Sequence, residues 1–226
     1  MLKLEKVTKV FQGNVVALDQ VSFDVKKGEL VRLVGPNRAG KTTLLRLIAA
    51  EAKPSRGEII FDGMSSRDMG TKEISLWRRK LGLISDHSGL VDDMSVFDNV
   101  ALGLRVLGEK ERKVKRKVRE VLEQVGLGSN SRTLPAHLSS AERQTAVIAR
   151  AIVKNPILLL ADEPAAGLDE SNAREIMDLL RRMSVFGTTV LLTPRESPAD
   201  GGKPGRVIRI EKGSAVQAGS PLISKE

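Results

Sequence analysis

The chain of 226 residues contains no cysteine, so disulfides, thiolate metal sites and thiol nucleophiles are all excluded. It has no tyrosine, a single tryptophan and an aromatic content of 3%. That is too little for the aromatic platform on which single-stranded nucleic acid stacks. The first residues, Met1-Leu2-Lys3-Leu4-Glu5-Lys6, lack the apolar stretch of a secretory signal. No uninterrupted apolar run approaches the roughly 18–20 residues of a membrane span, so the isolated chain is expected to be soluble. Acidic residues are in the minority: 28 Asp and Glu against 37 Lys and Arg give a net charge of +9. A surplus of that size implies an anionic partner, whether nucleotide, lipid head group or acidic protein surface.

What is present begins with Gly35-Pro36-Asn37-Arg38-Ala39-Gly40-Lys41-Thr42-Thr43, which fits the phosphate-loop pattern G-x-x-x-x-G-K-[ST]. The apolar strand candidate 29–34 precedes it and a helical pattern over 42–50 follows. This context gives the pattern a mechanism: backbone N–H groups curl around a phosphate, and the helix N-terminus adds unpaired donors and the positive end of its dipole. Lys41 is the candidate point charge for the β- and γ-phosphates. The Thr42 hydroxyl is a candidate Mg²⁺ ligand.

Upstream, alternation over 2–7 and 21–25, broken by a turn at Gln12-Gly13-Asn14, predicts a small antiparallel sheet. Phe11 lies beside that turn; taken alone it reads equally as a core aromatic. A strand is expected at Glu58-Ile59-Ile60-Phe61 with a hairpin turn at Asp62-Gly63, and another at 81–84. The stretch 76–80 between them reads as basic and polar. From about Ser85 to Arg150 strand signals give way to helical periodicity, with Ser95 as a candidate N-cap. Residues 109–125 are the most charged segment. Val114, Val118, Val121, Leu122 and Val125 form one stripe, and the basic residues cover the other face. That face reads first as solvated, and alternatively as a contact for anionic lipid or an acidic partner.

Strand signals return at 156–161, an apolar run without polar alternation, as in a parallel sheet buried on both faces. It ends in Asp162-Glu163. Asp162 is placed to reach a Mg²⁺ held by Thr42, and Glu163 to orient or deprotonate a water in line with the γ-phosphate. A helix at 171–183, a buried strand at 188–193, a closing hairpin at 207–214 and a loose tail at 220–226 complete the reading.

These residues, in this order, resemble the ABC-type ATPases. The resemblance covers nearly the whole chain: the phosphate loop at 35–43, a signature region near 138–144, the strand and carboxylates at 158–163, and Gly167-Leu168-Asp169. The segments 76–82, 95–102 and 149–156 are most similar to the FtsE-like cell-division group, with much shared by the lipoprotein-release and macrolide-export ATPases. The resemblance implies an α/β fold, a P-loop NTPase of RecA-like core with an N-terminal antiparallel β-subdomain and an inserted α-helical subdomain. The whole of 1–226 would be one ABC ATPase domain, with 85–150 helical and 1–84 plus 151–226 forming the rest.

It also implies ATP and Mg²⁺ as cofactors, with Phe11 against the adenine. ATP would be sandwiched in a homodimer or heterodimer, one subunit's phosphate loop facing Ser139, Ser140 and Ala141 of the other, with Asp169 crossing between subunits. Ser139 and Glu142 form a capping-box pattern at the start of that signature helix. An integral membrane partner, an FtsX-like protein or a transporter permease, is implied, which places the chain peripherally on the cytoplasmic face of the cell membrane. No specific nucleic-acid partner is implied.

The departures from the family gather at the nucleotide. Leu138-Ser139-Ser140-Ala141-Glu142 stands where the family has Leu-Ser-Gly-Gly. The family's glutamine after the strand at 81–84, which touches Mg²⁺, has no equivalent in Ile84-Ser85-Asp86-His87-Ser88-Gly89, leaving Ser85 or Asp86 as its candidate substitute. Pro194-Arg195-Glu196 replaces the switch histidine, leaving Arg195 as the candidate for stabilising the transition state. Arg38 replaces a phosphate-loop glycine, and either adds a phosphate contact or strains the loop if the position needs positive φ. Three readings follow: an ATPase driving a membrane partner; a degenerate subunit that binds ATP as a switch with little hydrolysis, in a heterodimer with a better-equipped homologue; and, suggested by the basic charge, a soluble ABC protein acting on nucleic acid. The third is disfavoured because such proteins usually carry two ATPase units in one chain and this one has room for one.

Overall fold

A computed structural model describes residues 1–85, 89–194 and 205–217. Among these residues two sheets organise the chain. The first is antiparallel, in the order β2-β1-β4-β5, built from β1 (Leu2–Phe11), β2 (Val15–Val25), β4 (Arg56–Phe61) and β5 (Met64–Ser65). The second runs β10-β9-β3-β8-β7-β6, from β3 (Leu30–Val34), β6 (Leu81–Ile84), β7 (Leu158–Asp162), β8 (Thr189–Thr193), β9 (Arg206–Glu211) and β10 (Ser214–Gln217). Its pairs are parallel except for the closing hairpin β9–β10.

The apolar run of β7 lacks alternation because both its faces are covered. Leu158 and Leu160 enter the core shared with the antiparallel sheet and α1 (Lys41–Ile48). Leu159 and Ala161 enter a second core with the helices α3 (Val96–Arg105), α4 (Glu111–Gln124), α5 (Ser140–Ile152) and α6 (Glu170–Val185). Strand β8 splits the same way, Leu191 to the first core and Val190 and Leu192 to the second. One strand thus binds two cores, as a sheet with layers on both faces requires.

The helical stretch begins as its sequence predicts. Ser95 caps α3, its hydroxyl accepting from the Asp98 N–H at 3.1 Å. In α4, Val114, Val118, Val121 and Leu122 are buried. Helix α5 runs to Ile152, two residues past the expected boundary at 150.

The stretch 76–80 departs from its polar reading. It is the end of α2 (Thr71–Arg79), and Trp77 on its inner face is fully buried. The Trp77 indole N–H donates to the carbonyl of Ile48 at 2.7 Å, and its ring meets Phe61 edge-on at 5.1 Å. One large ring amid charged neighbours anchors α2 to the last turn of α1. Asp86, Arg195 and the tail 220–226 lie outside the described residues.

Candidate functional site

The phosphate loop connects the end of β3 to α1, and two glycines set its course. Gly35 has φ 147°, and a Cβ there would lie 2.0 Å from the carbonyl oxygen of Ile210 on β9. Gly40, at φ 104° the N-cap of α1, would bring a Cβ to 2.5 Å from the Ala17 carbonyl oxygen on β2. Only glycine permits either approach. The loop is thereby wedged between the central sheet and the antiparallel sheet. This close packing carries β2 and the hairpin tip at Phe11 to the rim of the loop.

One cavity of about 310 Å³ results, lined by Phe11, Val15 and Ala17, by the loop from Asn37 to Thr43, and by Glu163. Phe11 is 48% exposed, which removes the core-aromatic reading. The Lys9 ammonium stands 5.3 Å from its ring centroid, a cation–π contact. Gly35 and Pro36 belong to the loop but do not line the cavity; their carbonyls accept from the Lys41 ammonium. The Lys41 side chain is buried, folded back along its own loop. Arg38 has φ 65°, the left-handed region, with its side chain exposed at the cavity.

A second cavity of about 190 Å³ adjoins the first through Thr42. Asp162 and Ser85 line it with Glu51, Arg46, Leu45 and Leu83. Thr42, Asp162 and Ser85 offer hydroxyl and carboxylate oxygens only. That hard-oxygen set fits Mg²⁺, which prefers few protein oxygens and keeps several waters.

A residue that sequence reading missed fixes the two carboxylates. Thr193, fully buried at the end of β8, lies opposite Asp162 in the parallel register. Its hydroxyl donates to Asp162 Oδ1 at 2.6 Å and accepts from the Glu163 N–H at 2.9 Å. The same N–H reaches the Thr193 carbonyl at 3.0 Å. Glu163 itself has φ 45°, so the backbone turns sharply where the strand ends and aims consecutive side chains at different cavities. The available signal was a hydroxyl residue closing the strand after the apolar run Val190-Leu191-Leu192.

Ser139, Ser140, Ala141 and Asp169 line neither cavity. Ser139 and Ser140 are exposed and Ala141 half-buried at the N-terminus of α5. The capping box is formed: the Ser139 N–H donates to Glu142 Oε2 at 2.8 Å, and the Glu142 N–H donates to the Ser139 hydroxyl at 3.2 Å. Chiefly because of that backbone bond, the Glu142 carboxyl is held below its ordinary range. Asp169 caps α6, accepting from the Asn172 N–H at 3.0 Å, and its carboxyl is likewise lowered by that bond.

A glycine-bent loop at a helix N-terminus, facing paired carboxylates at the end of another parallel strand of the same sheet, two places along from the strand that enters the loop, defines the P-loop NTPase class of α/β proteins. Within that class the chain belongs to the ABC transporter family, whose sequence model matches residues 18–166, and is an ATP-binding domain of that family. It is 38% identical over 217 residues to the cell division ATP-binding protein FtsE of Streptococcus pneumoniae, covering 96% of this chain and 94% of that one. Identity to the protein of the same name in Bacillus subtilis is 37% over 217 residues, covering 96% and 95%. A methionine import ATP-binding protein, MetN of Haemophilus influenzae, is 34% identical over 97% of this chain and 65% of its own. Among solved structures, a dimeric ATP-binding cassette in a post-hydrolysis state with ADP and Pi superposes with a TM-score of 0.84 at 29% identity, covering 95% and 96% of the two chains. A cassette from Clostridium perfringens, part of an ABC transporter complex, gives 0.86 at 27% identity, covering 97% and 88%.

Proposed function

We propose that the chain is an FtsE-like ATPase subunit that binds Mg-ATP at a dimer interface and uses its hydrolysis to drive or signal through an integral membrane partner. The observation that carries this is the convergence of Phe11, the phosphate loop and Glu163 on one cavity, with Thr42 shared by the oxygen-lined cavity of Asp162 and Ser85.

Each group has a role suited to its chemistry. Phe11 offers an exposed ring to the base. The backbone N–H groups of residues 38–43 and the N-terminus of α1 take the phosphates. Lys41 exchanges the carbonyls of Gly35 and Pro36 for phosphate oxygens. Thr42 and Asp162 would hold Mg²⁺, which would supply neutralisation of phosphate charge. Glu163 orients the attacking water and takes its proton. Arg38 adds a guanidinium at the cavity mouth, and Arg195 remains the candidate for transition-state charge.

The exposed α5 N-terminus is proposed to meet the nucleotide of the opposite subunit, with Asp169 crossing nearby. Its intact capping box and outward Ser139 and Ser140 support this, as does the dimeric state of a similar cassette. The membrane partner is proposed from the FtsE relatives and from the Clostridium perfringens cassette, part of an ABC transporter complex. No helix among the described residues is long and apolar enough to cross a membrane.

Equilibrium binding of Mg-ATP tests the reading. Lys41→Ala removes charge-assisted bonds worth about 1.5–3 kcal/mol, so affinity is expected to fall about 10- to 100-fold. A wild-type chain that binds no nucleotide would refute the proposal.

A further inference from the structure

We infer that the outer face of α4 is a docking surface for the anionic head groups of a phospholipid bilayer, so that the chain meets the membrane directly as well as through a protein partner. The charge distribution is the first ground. Between Lys110 and Arg119 the chain carries seven Lys and Arg against one acid, Glu111: a net +6 in ten residues, within a chain of net +9.

The placement is the second ground. Arg112, Lys115, Arg116 and Arg119 recur at i, i+3, i+4 and i+7, which sets them in one ladder about 10 Å long. All four are exposed. The ladder cannot rotate away, because Val114, Val118, Val121 and Leu122 on the other side are packed into the core. Neutralisation within the chain is partial. Arg116 pairs with Glu120 and Lys113 with Glu109, while the Glu111 carboxylate is taken by Arg105. Arg112, Lys115 and Arg119 make no ion pair among the described residues. A basic cluster of this density on an amphipathic helix matches the negative surface potential of an anionic leaflet.

The turn leading into α4 favours lipid over nucleic acid. Val106, where α3 ends, is 80% exposed. A bilayer interface accepts an exposed apolar side chain from the turn that precedes a cationic helix, whereas a sugar-phosphate backbone gives it no partner. Since the apolar stripe of α4 is already used in the core, the helix docks flat. Attachment is mainly electrostatic and therefore salt-sensitive.

The test is co-sedimentation of the full chain with vesicles of phosphatidylglycerol and phosphatidylcholine, against vesicles of phosphatidylcholine alone, at low and high salt. The chain is expected to bind the anionic vesicles at low salt, to release them at high salt, and to ignore neutral ones. At about fivefold per basic side chain, the triple variant Arg112→Gln, Lys115→Gln, Arg119→Gln should lose about a hundredfold in partitioning. Val106→Ser should lose a few-fold. These four side chains lie outside the nucleotide cavities, so unchanged Mg-ATP binding serves as the folding control. Failure of the wild-type chain to bind anionic vesicles would overturn the inference, as would equal binding by the triple variant. Binding of duplex DNA as tight as that of vesicles, with the same loss in the triple variant, would also overturn it in favour of a general polyanion surface. Because vesicle binding and nucleotide binding are read separately, either proposal can fail while the other stands.

Discussion

Thr193 and Asp162 are bonded side chain to side chain across neighbouring parallel strands, hydroxyl to carboxylate at 2.6 Å. The same hydroxyl receives the Glu163 N–H, so one buried group on β8 sets the position of both acids on β7. Thr193→Val keeps the shape and removes the hydroxyl. It is expected to lower phosphate release about tenfold, with nucleotide affinity measured without Mg²⁺ unchanged. Stability should fall by about 1 kcal/mol, because a half-buried carboxylate loses its donor. Release assays and urea unfolding of the same sample check both parts.

Arg38 occupies a left-handed backbone position, φ 65°, where glycine carries no steric penalty. Two variants separate the backbone from the charge. Arg38→Ala removes the guanidinium and keeps the strained backbone; Arg38→Gly removes both. Arg38→Gly should be more stable than Arg38→Ala by about 1 kcal/mol. Both should bind Mg-ATP several-fold more weakly than the wild type. Affinity restored by glycine alone would mean that the side chain contributes nothing to the phosphates.

Trp77 holds the last turn of α1, the helix that begins at the phosphate loop, through its bond to the Ile48 carbonyl. Trp77→Ala leaves a cavity against Phe61 and orphans that carbonyl. A loss of about 3–5 kcal/mol in urea unfolding is expected. A loss below about 1 kcal/mol would show that the antiparallel sheet and α1 hold together without it.

The capping box at α5 gives a pH dependence of known sign. The Glu142 carboxyl is lowered in the folded chain, mainly by the Ser139 N–H. A group with a lowered folded pKa contributes stability in full above its unfolded value, near 4.5, and loses it as pH falls through the folded value. The stability gap between wild type and Glu142→Gln should therefore be largest near neutral pH and close below about pH 4. A gap that widened on acidification would contradict the assignment.

The features legible in the sequence are those whose physics is local. The phosphate loop is one contiguous stretch with its strand and helix attached, and the Ser95 N-cap, the capping box at Ser139 and the valine stripe of α4 need only near neighbours. The carboxylate pair was readable because a doubly buried strand announces itself by lacking polar residues. Thr193 was not, since its importance comes from the register of two strands that meet 31 residues apart. Trp77 was hidden among charged neighbours, because its burial depends on Phe61 and Ile48, brought near by folding. The sharing of a cavity by Ser85, Thr42 and Asp162 likewise depends on three separate elements.

The central claim is that the cavity lined by Phe11, the phosphate loop and Glu163 hydrolyses ATP, with Glu163 preparing the water. It is tested most directly by steady-state phosphate release from Mg-ATP, beside Glu163→Gln and with binding measured on the same preparations. The account predicts turnover by the wild-type chain, a fall of about 10²–10⁴-fold in Glu163→Gln, and Mg-ATP affinity retained in that variant. Tight binding without release, or release indifferent to Glu163, would contradict it, and the first of these outcomes would leave a subunit that uses ATP as a switch.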